Sequence, residues 1–107
     1  MRRSADWTVV WDDRILEWIR ENDGSGTAAE MKHSDLIRIE RPSISRRLKK
    51  LEEADLVRHV GNGAYLITEK GEGYLDESYD VERGTWLNRD RAEGEGPSTE
   101  ATGENGV

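Results

Sequence analysis

Cationic side chains cluster in one stretch of an otherwise acidic chain. Arg46, Arg47, Lys49 and Lys50 follow Ser43 and Ser45, with Arg38 and Arg41 just ahead of them. From Arg38 to Lys50 there are six cations and one anion, Glu40, whereas the whole chain of 107 residues carries 16 basic and 23 acidic side chains and a net charge of -7. Small hydroxyls let a helix approach a nucleic-acid groove closely, and long cations reach phosphates or a guanine edge. The segment therefore has the chemistry of a surface for double-stranded DNA. The alternative is a solvated helix face paired with Glu52 and Glu53. The contrast with the acidity elsewhere, and the hairpin that follows directly, favour DNA.

Other chemistry finds little support. The chain has no cysteine, which removes disulfides, thiolate catalysis and the commonest structural zinc sites. His33 and His59 have no ligand partners nearby in sequence, so no metal site is expected. Gly61-Asn62-Gly63 has no phosphate-binding lysine after it, and Asp12-Asp13 fits a helix start better than an acid-base pair. Neither enzymatic activity, a cofactor nor a small-molecule effector is expected. No apolar run is long enough to span a membrane, and Met1-Arg2-Arg3-Ser4 does not begin a signal peptide, so a cytoplasmic protein is expected. The acidic excess, four lysines and absence of phenylalanine resemble the composition of halophilic proteins, in which carboxylates keep the chain hydrated in concentrated salt.

The elements that must position the basic segment follow from periodicity. Trp11, Ile15, Trp18 and Ile19 share one face of a first helix, which ends at the turn cluster Asn22-Asp23-Gly24-Ser25-Gly26. Thr27 and Glu30 have the spacing of a capping box for a short second helix ending near His33. Pro42 suits the first turn of a third helix, where Ile44, Leu48 and Leu51 define the buried side. On that helix Ser43, Arg46, Arg47 and Lys50 fall on one neighbouring exposed stripe, with Ser45 and Lys49 on the other flank. Val57–Val60 and Ala64–Ile67 are β-prone runs around the glycine turn, and Thr68 can cap a fourth helix reaching about Tyr79. The expected fold is α+β and mainly α, a winged helix-turn-helix with a two-stranded wing. Residues 1–10 read as an N-terminal arm, 11–83 as the DNA-binding domain and 84–107 as an acidic, largely disordered tail.

The run from Arg41 to Arg58, Arg-Pro-Ser-Ile-Ser-Arg-Arg-Leu-Lys-Lys-Leu-Glu-Glu-Ala-Asp-Leu-Val-Arg, resembles the recognition helix and following strand of MarR-, ArsR- and PadR-like winged-helix regulators. Tyr65-Leu-Ile-Thr-Glu-Lys-Gly-Glu-Gly-Tyr-Leu resembles their wing strand and its exit into the next helix. The opening Trp11-Asp-Asp-Arg-Ile-Leu-Glu-Trp-Ile is similar to that of the small repressor-like proteins of halophilic archaea related to the phage phi-H repressor. The resemblance covers about Val9 to Asp80. It implies that Ser43, Ser45, Arg46, Arg47 and Lys50 enter or flank the major groove, and that Arg58, His59 and Asn62 on the wing reach backbone or minor groove. Asp55 departs from the pattern, standing where such proteins usually end the helix with glycine; aspartate tolerates that left-handed position less well.

Four tryptophans are many for so small a core. Trp18 fits the interior. Trp7, Trp11, Tyr74 and Trp86 are candidates for a homodimer contact; the alternative for the tryptophans is to compensate for the absent phenylalanines. A dimer is favoured, because one recognition helix makes few base contacts and two half-sites improve specificity. The expected function is a homodimeric DNA-binding regulator, more in the manner of a repressor than an activator. Its rival is a winged-helix adaptor whose basic helix meets an acidic protein.

Overall fold

The computed structural model describes residues 2–87. Nine elements follow in order: α1 (Val10–Glu21), β1 (Ser25–Thr27), α2 (Ala28–Lys32), α3 (Arg41–Glu53), β2 (Val57–His59), β3 (Ala64–Ile67), α4 (Glu69–Leu75), β4 (Tyr79–Asp80) and β5 (Thr85–Trp86). The three-helix, hairpin, helix plan of a winged helix is present, mainly α with a β wing.

The helices form where apolar residues recur at helical spacing. Ile15, Leu16 and Ile19 of α1, Ile44, Leu48 and Leu51 of α3, and Tyr74 and Leu75 of α4 are buried together with Met31, Ile37, Leu56 and Val57. Each helix that starts cleanly has a local reason. Thr27 accepts from the Glu30 amide while Glu30 accepts from the Thr27 amide, the expected capping box of α2. Pro42 stands in the first turn of α3, one residue after the helix begins at Arg41. Asp12 does not cap α1 from outside but lies within its first turn, its carboxylate reaching back to the Val9 amide at 3.0 Å.

Helix ends carry the less expected geometry. Asp55 does adopt the left-handed conformation, φ 67°, and the turn closes by Leu56 N–H to Leu51 C=O and Asp55 N–H to Glu52 C=O, a Schellman arrangement. Glu77 ends α4 in the same way at φ 65°, so α4 stops at Leu75 rather than near Tyr79. Tyr79 instead enters a second small hairpin, β4 with β5, and Arg3 of the arm bridges to Asp80 beside it.

The wing is larger than a two-stranded hairpin. β2 and β3 pair antiparallel around Gly61-Asn62-Gly63, all three at positive φ, and β1 adds to the other edge of β3 in the order β1-β3-β2. Residues 84–87 also belong to the packed fold, because Trp86 lies across Gly73 where any larger residue would collide with its ring. The remainder of the expected tail, residues 88–107, lies outside the described residues.

Candidate nucleic-acid interface

On α3 the buried stripe of Ile44, Leu48 and Leu51 turns Pro42, Ser45, Arg46 and Lys49 outward, all exposed. The outward face is thus centred on Ser45, Arg46 and Lys49. Arg46 is held in position by its guanidinium, which donates to the Ser43 hydroxyl at 3.0 Å. Between α3, the start of α2 and the wing runs a cleft of about 340 Å³, lined among others by Thr27, Arg41, Ser45, Lys49, Asn62 and Tyr65. Arg41 and Lys49 make no ion pair among the described residues, so their charge is available to a polyanion.

The expected stripe of Ser43, Arg46, Arg47 and Lys50 is split by the fold. Arg47 turns towards α1. Its Nε and Nη2 donate to the two carboxylate oxygens of Asp12 at 2.8 Å each, and Nη2 also donates to the Trp7 carbonyl at 3.0 Å. Asp12 is completely buried. Ser43, one turn earlier on the same side, is half-buried. Lys50 is exposed near Trp7 and lies 3.9 Å from Glu53, a loose contact of little energetic weight. Arg38, in the connection before α3, is exposed and donates to the Asp35 carbonyl at 3.3 Å.

The wing divides its residues by strand alternation. His59 and Tyr65 are register partners on one face, their rings 5.0 Å apart, and Tyr65 lines the cleft. Burial first, and then the charge of Glu52, raises the Tyr65 pKa, so the ring stays neutral beside the cations. Arg58 pairs with Leu66 on the opposite face and does not line the cleft. Asn62 stands at the wing tip and does line it. The structure therefore brings together Arg41, Ser45, Lys49 and Asn62 along the cleft, leaves Arg46 exposed beside Ser45 on α3 but outside the cleft lining, and separates Arg47 and Arg58 from them. Thr27, Ala28 and Ala29 at the start of α2 also line the cleft. Sequence reading had missed them, although the capping box located that helix start.

The four candidate dimer residues also part company. Tyr74 is a correction: it is 2% exposed, and its hydroxyl donates to Asp13 at 2.6 Å inside the chain. A side chain so enclosed has no surface to offer a second copy. Trp86 packs edge-on to Tyr79, centroids 4.9 Å apart, and covers Gly73, which accounts for its bulk within one chain. Trp7 packs partly buried against the core, its carbonyl taken by Arg47. Trp11 remains partly exposed on α1 beside Val9 and Val10, which are 43% and 59% exposed.

Among the described residues no helix is long and apolar enough to cross a membrane, and no group of three or more His, Cys, Asp or Glu could hold a metal ion.

Residues 14–75 match the sequence model of the ribonuclease R winged-helix domain. The crystal structure of the PhiH1 repressor-like protein from Haloarcula marismortui is similar, with a TM-score of 0.77 and 49% identity over 80% of this chain and 97% of that chain. Among curated proteins there is no match.

Proposed function

The chain belongs to the winged-helix family that includes the PhiH1 repressor-like protein, and from that premise we propose that it is a DNA-binding transcriptional regulator rather than an enzyme. The observation that carries this reading is the outward face of α3, where Ser45, Arg46 and Lys49 adjoin a cleft continued by Arg41 and the wing-tip Asn62. In this reading α3 enters the major groove. Arg46 reads a base edge, Arg41 and Lys49 contact phosphates, and Asn62 reaches the backbone from the wing; Arg38, Lys50, Arg58 and His59 supply peripheral charge or polar contact.

Repression by occupying operator DNA is the mode of action proposed for this winged-helix domain. A homodimer would double the contacted sequence, and the exposed Val9 and Val10 beside Trp11 are the surface proposed for it. The acid-rich composition and the haloarchaeal relative both favour work in concentrated cytoplasmic salt.

The test is a mobility-shift screen of genomic fragments at high potassium chloride, with sedimentation to read the stoichiometry. Retardation of particular fragments by two copies supports the reading. Failure to bind any duplex, together with capture of acidic protein, would instead support the adaptor.

A further inference from the structure

Hydrophobic contacts between α1 and α3 are not directional: the stripe of Ile44, Leu48 and Leu51 sets which side of α3 is buried, and a directional contact is what refines its rotation. The bidentate fork of Arg47 on Asp12 is directional. Both guanidinium–carboxylate bonds are 2.8 Å long, at the middle of α3, on a carboxylate that solvent does not reach. A third bond joins that carboxylate to the Val9 amide, and a fourth joins Arg47 to the Trp7 carbonyl. One buried anion thus ties the first turn of α1, the end of the arm and the centre of α3. Arg47 is the immediate neighbour of Arg46, so holding Arg47 holds the stretch of helix from which Arg46 departs, about 100° around the axis.

We propose that Asp12 and Arg47 are positioning residues for DNA recognition. They hold α3 in the rotation that aims Ser45, Arg46 and Lys49 outward, and Arg47 makes no contact with DNA. The inference rests on the DNA-binding reading above. It reverses the ordinary electrostatic expectation for both residues. Removing an anion from a protein that binds a polyanion should tighten binding, yet Asp12→Asn should weaken it. Exchanging one cation for another should preserve a phosphate contact, yet Arg47→Lys should not rescue, because an ammonium cannot fork across a carboxylate.

The experiment compares the parent with Asp12→Asn, Arg47→Lys and Arg47→Ala, each first shown by circular dichroism to be folded at the working temperature. Affinity for a bound duplex is measured across potassium chloride, and amide hydrogen exchange is followed in α3, the wing and α4. The proposal expects all three variants to lose affinity by about tenfold or more with the salt slope unchanged, since no phosphate contact is lost. It also expects faster exchange in α3 with α4 unaltered. Parental affinity in Arg47→Lys, tighter binding in Asp12→Asn, or a slope reduced by about 0.9 in Arg47→Ala would overturn it, the last by showing a direct phosphate contact. If the parent binds no duplex, the functional reading fails while the exchange data still decide the tie. Unaltered α3 exchange in the folded variants would refute it.

Discussion

Tyr74 places its hydroxyl 2.6 Å from Asp13, and Arg2 reaches the same carboxylate at 3.0 Å and Glu17 at 2.8 Å. Burial, and then the hydrogen bond and charge of Asp13, push the Tyr74 pKa well above its ordinary value. The folded state therefore holds the phenolic proton more tightly than the unfolded chain. That contribution is fully present below the unfolded value of about 10 and is lost as pH rises beyond it. Tyr74→Phe should cost about 1.5–3 kcal/mol at neutral pH, the net value of a hydrogen bond to a charged group. The difference in melting temperature between parent and variant should narrow as pH is raised past about 10. A difference that stays constant to strongly alkaline pH would show that the hydroxyl contributes nothing through its proton. Residue types alone could not have revealed this network. Arg2 and Asp13 are distant in sequence from Tyr74, and the sequence offered Tyr74 as a candidate dimer contact. Arg46 and Arg47 make the same point: adjacent and chemically identical, they leave α3 about 100° apart, and only Arg47 meets the buried Asp12.

Elements with strong periodicity were legible, and those made by their neighbours were not. α1, α3 and the wing hairpin follow from helical spacing, Pro42 and three consecutive turn residues. β1 is only Ser25-Gly26-Thr27, with no apolar alternation, and exists because Gly26 fits beneath the Trp18 ring while β3 offers an edge. β4 and β5 have two residues each and depend on Trp86 finding Gly73. Helix ends were read well at Asp55, where departure from glycine predicted a left-handed aspartate. That position yields a stability ordering. Asp55→Val should destabilise by about 1–2 kcal/mol, since a β-branched side chain is strained at positive φ, whereas Asp55→Gly should lie within about 1 kcal/mol of the parent. Glycine relieves the strain but adds unfolded-state entropy, and it loses the exposed contact of Lys70 with Asp55 at 3.2 Å. Chemical denaturation of the three proteins checks the order; a valine variant as stable as the parent would contradict the left-handed geometry.

Across the whole molecule a net charge of -7 and a basic recognition face are opposed, and salt decides between them. At low ionic strength the acidic remainder repels DNA over long range. Near 1 M the Debye length is about 3 Å, so that repulsion is screened and counterion release gives less in return. In the proposed reading the contacts that survive are short: a guanidinium on a base edge, hydroxyls close in the groove and, if two copies bind, apolar burial between them. Specific binding is accordingly expected to persist above about 1 M potassium chloride, with a shallower slope than the basic residues at the interface would suggest. Loss of specific binding beyond a few tenths molar, with the fold intact, would defeat the halophilic reading and leave the winged helix standing.

The central claim is that the outward face of α3 reads DNA, and it is tested most directly by selection from a randomised duplex pool at high potassium chloride. Affinities of the parent, Arg46→Ala and Lys49→Ala are then measured on the enriched duplex and on an unrelated one. Both substituted side chains are exposed, so both variants should melt with the parent. Arg46→Ala should lose about 1–3 kcal/mol on the enriched duplex and far less on the unrelated one, because a base contact is removed. Lys49→Ala should weaken both by a similar factor and reduce the salt slope by about 0.9, because a phosphate contact is removed. If both variants stay folded and bind both duplexes as the parent does, α3 is not the recognition helix.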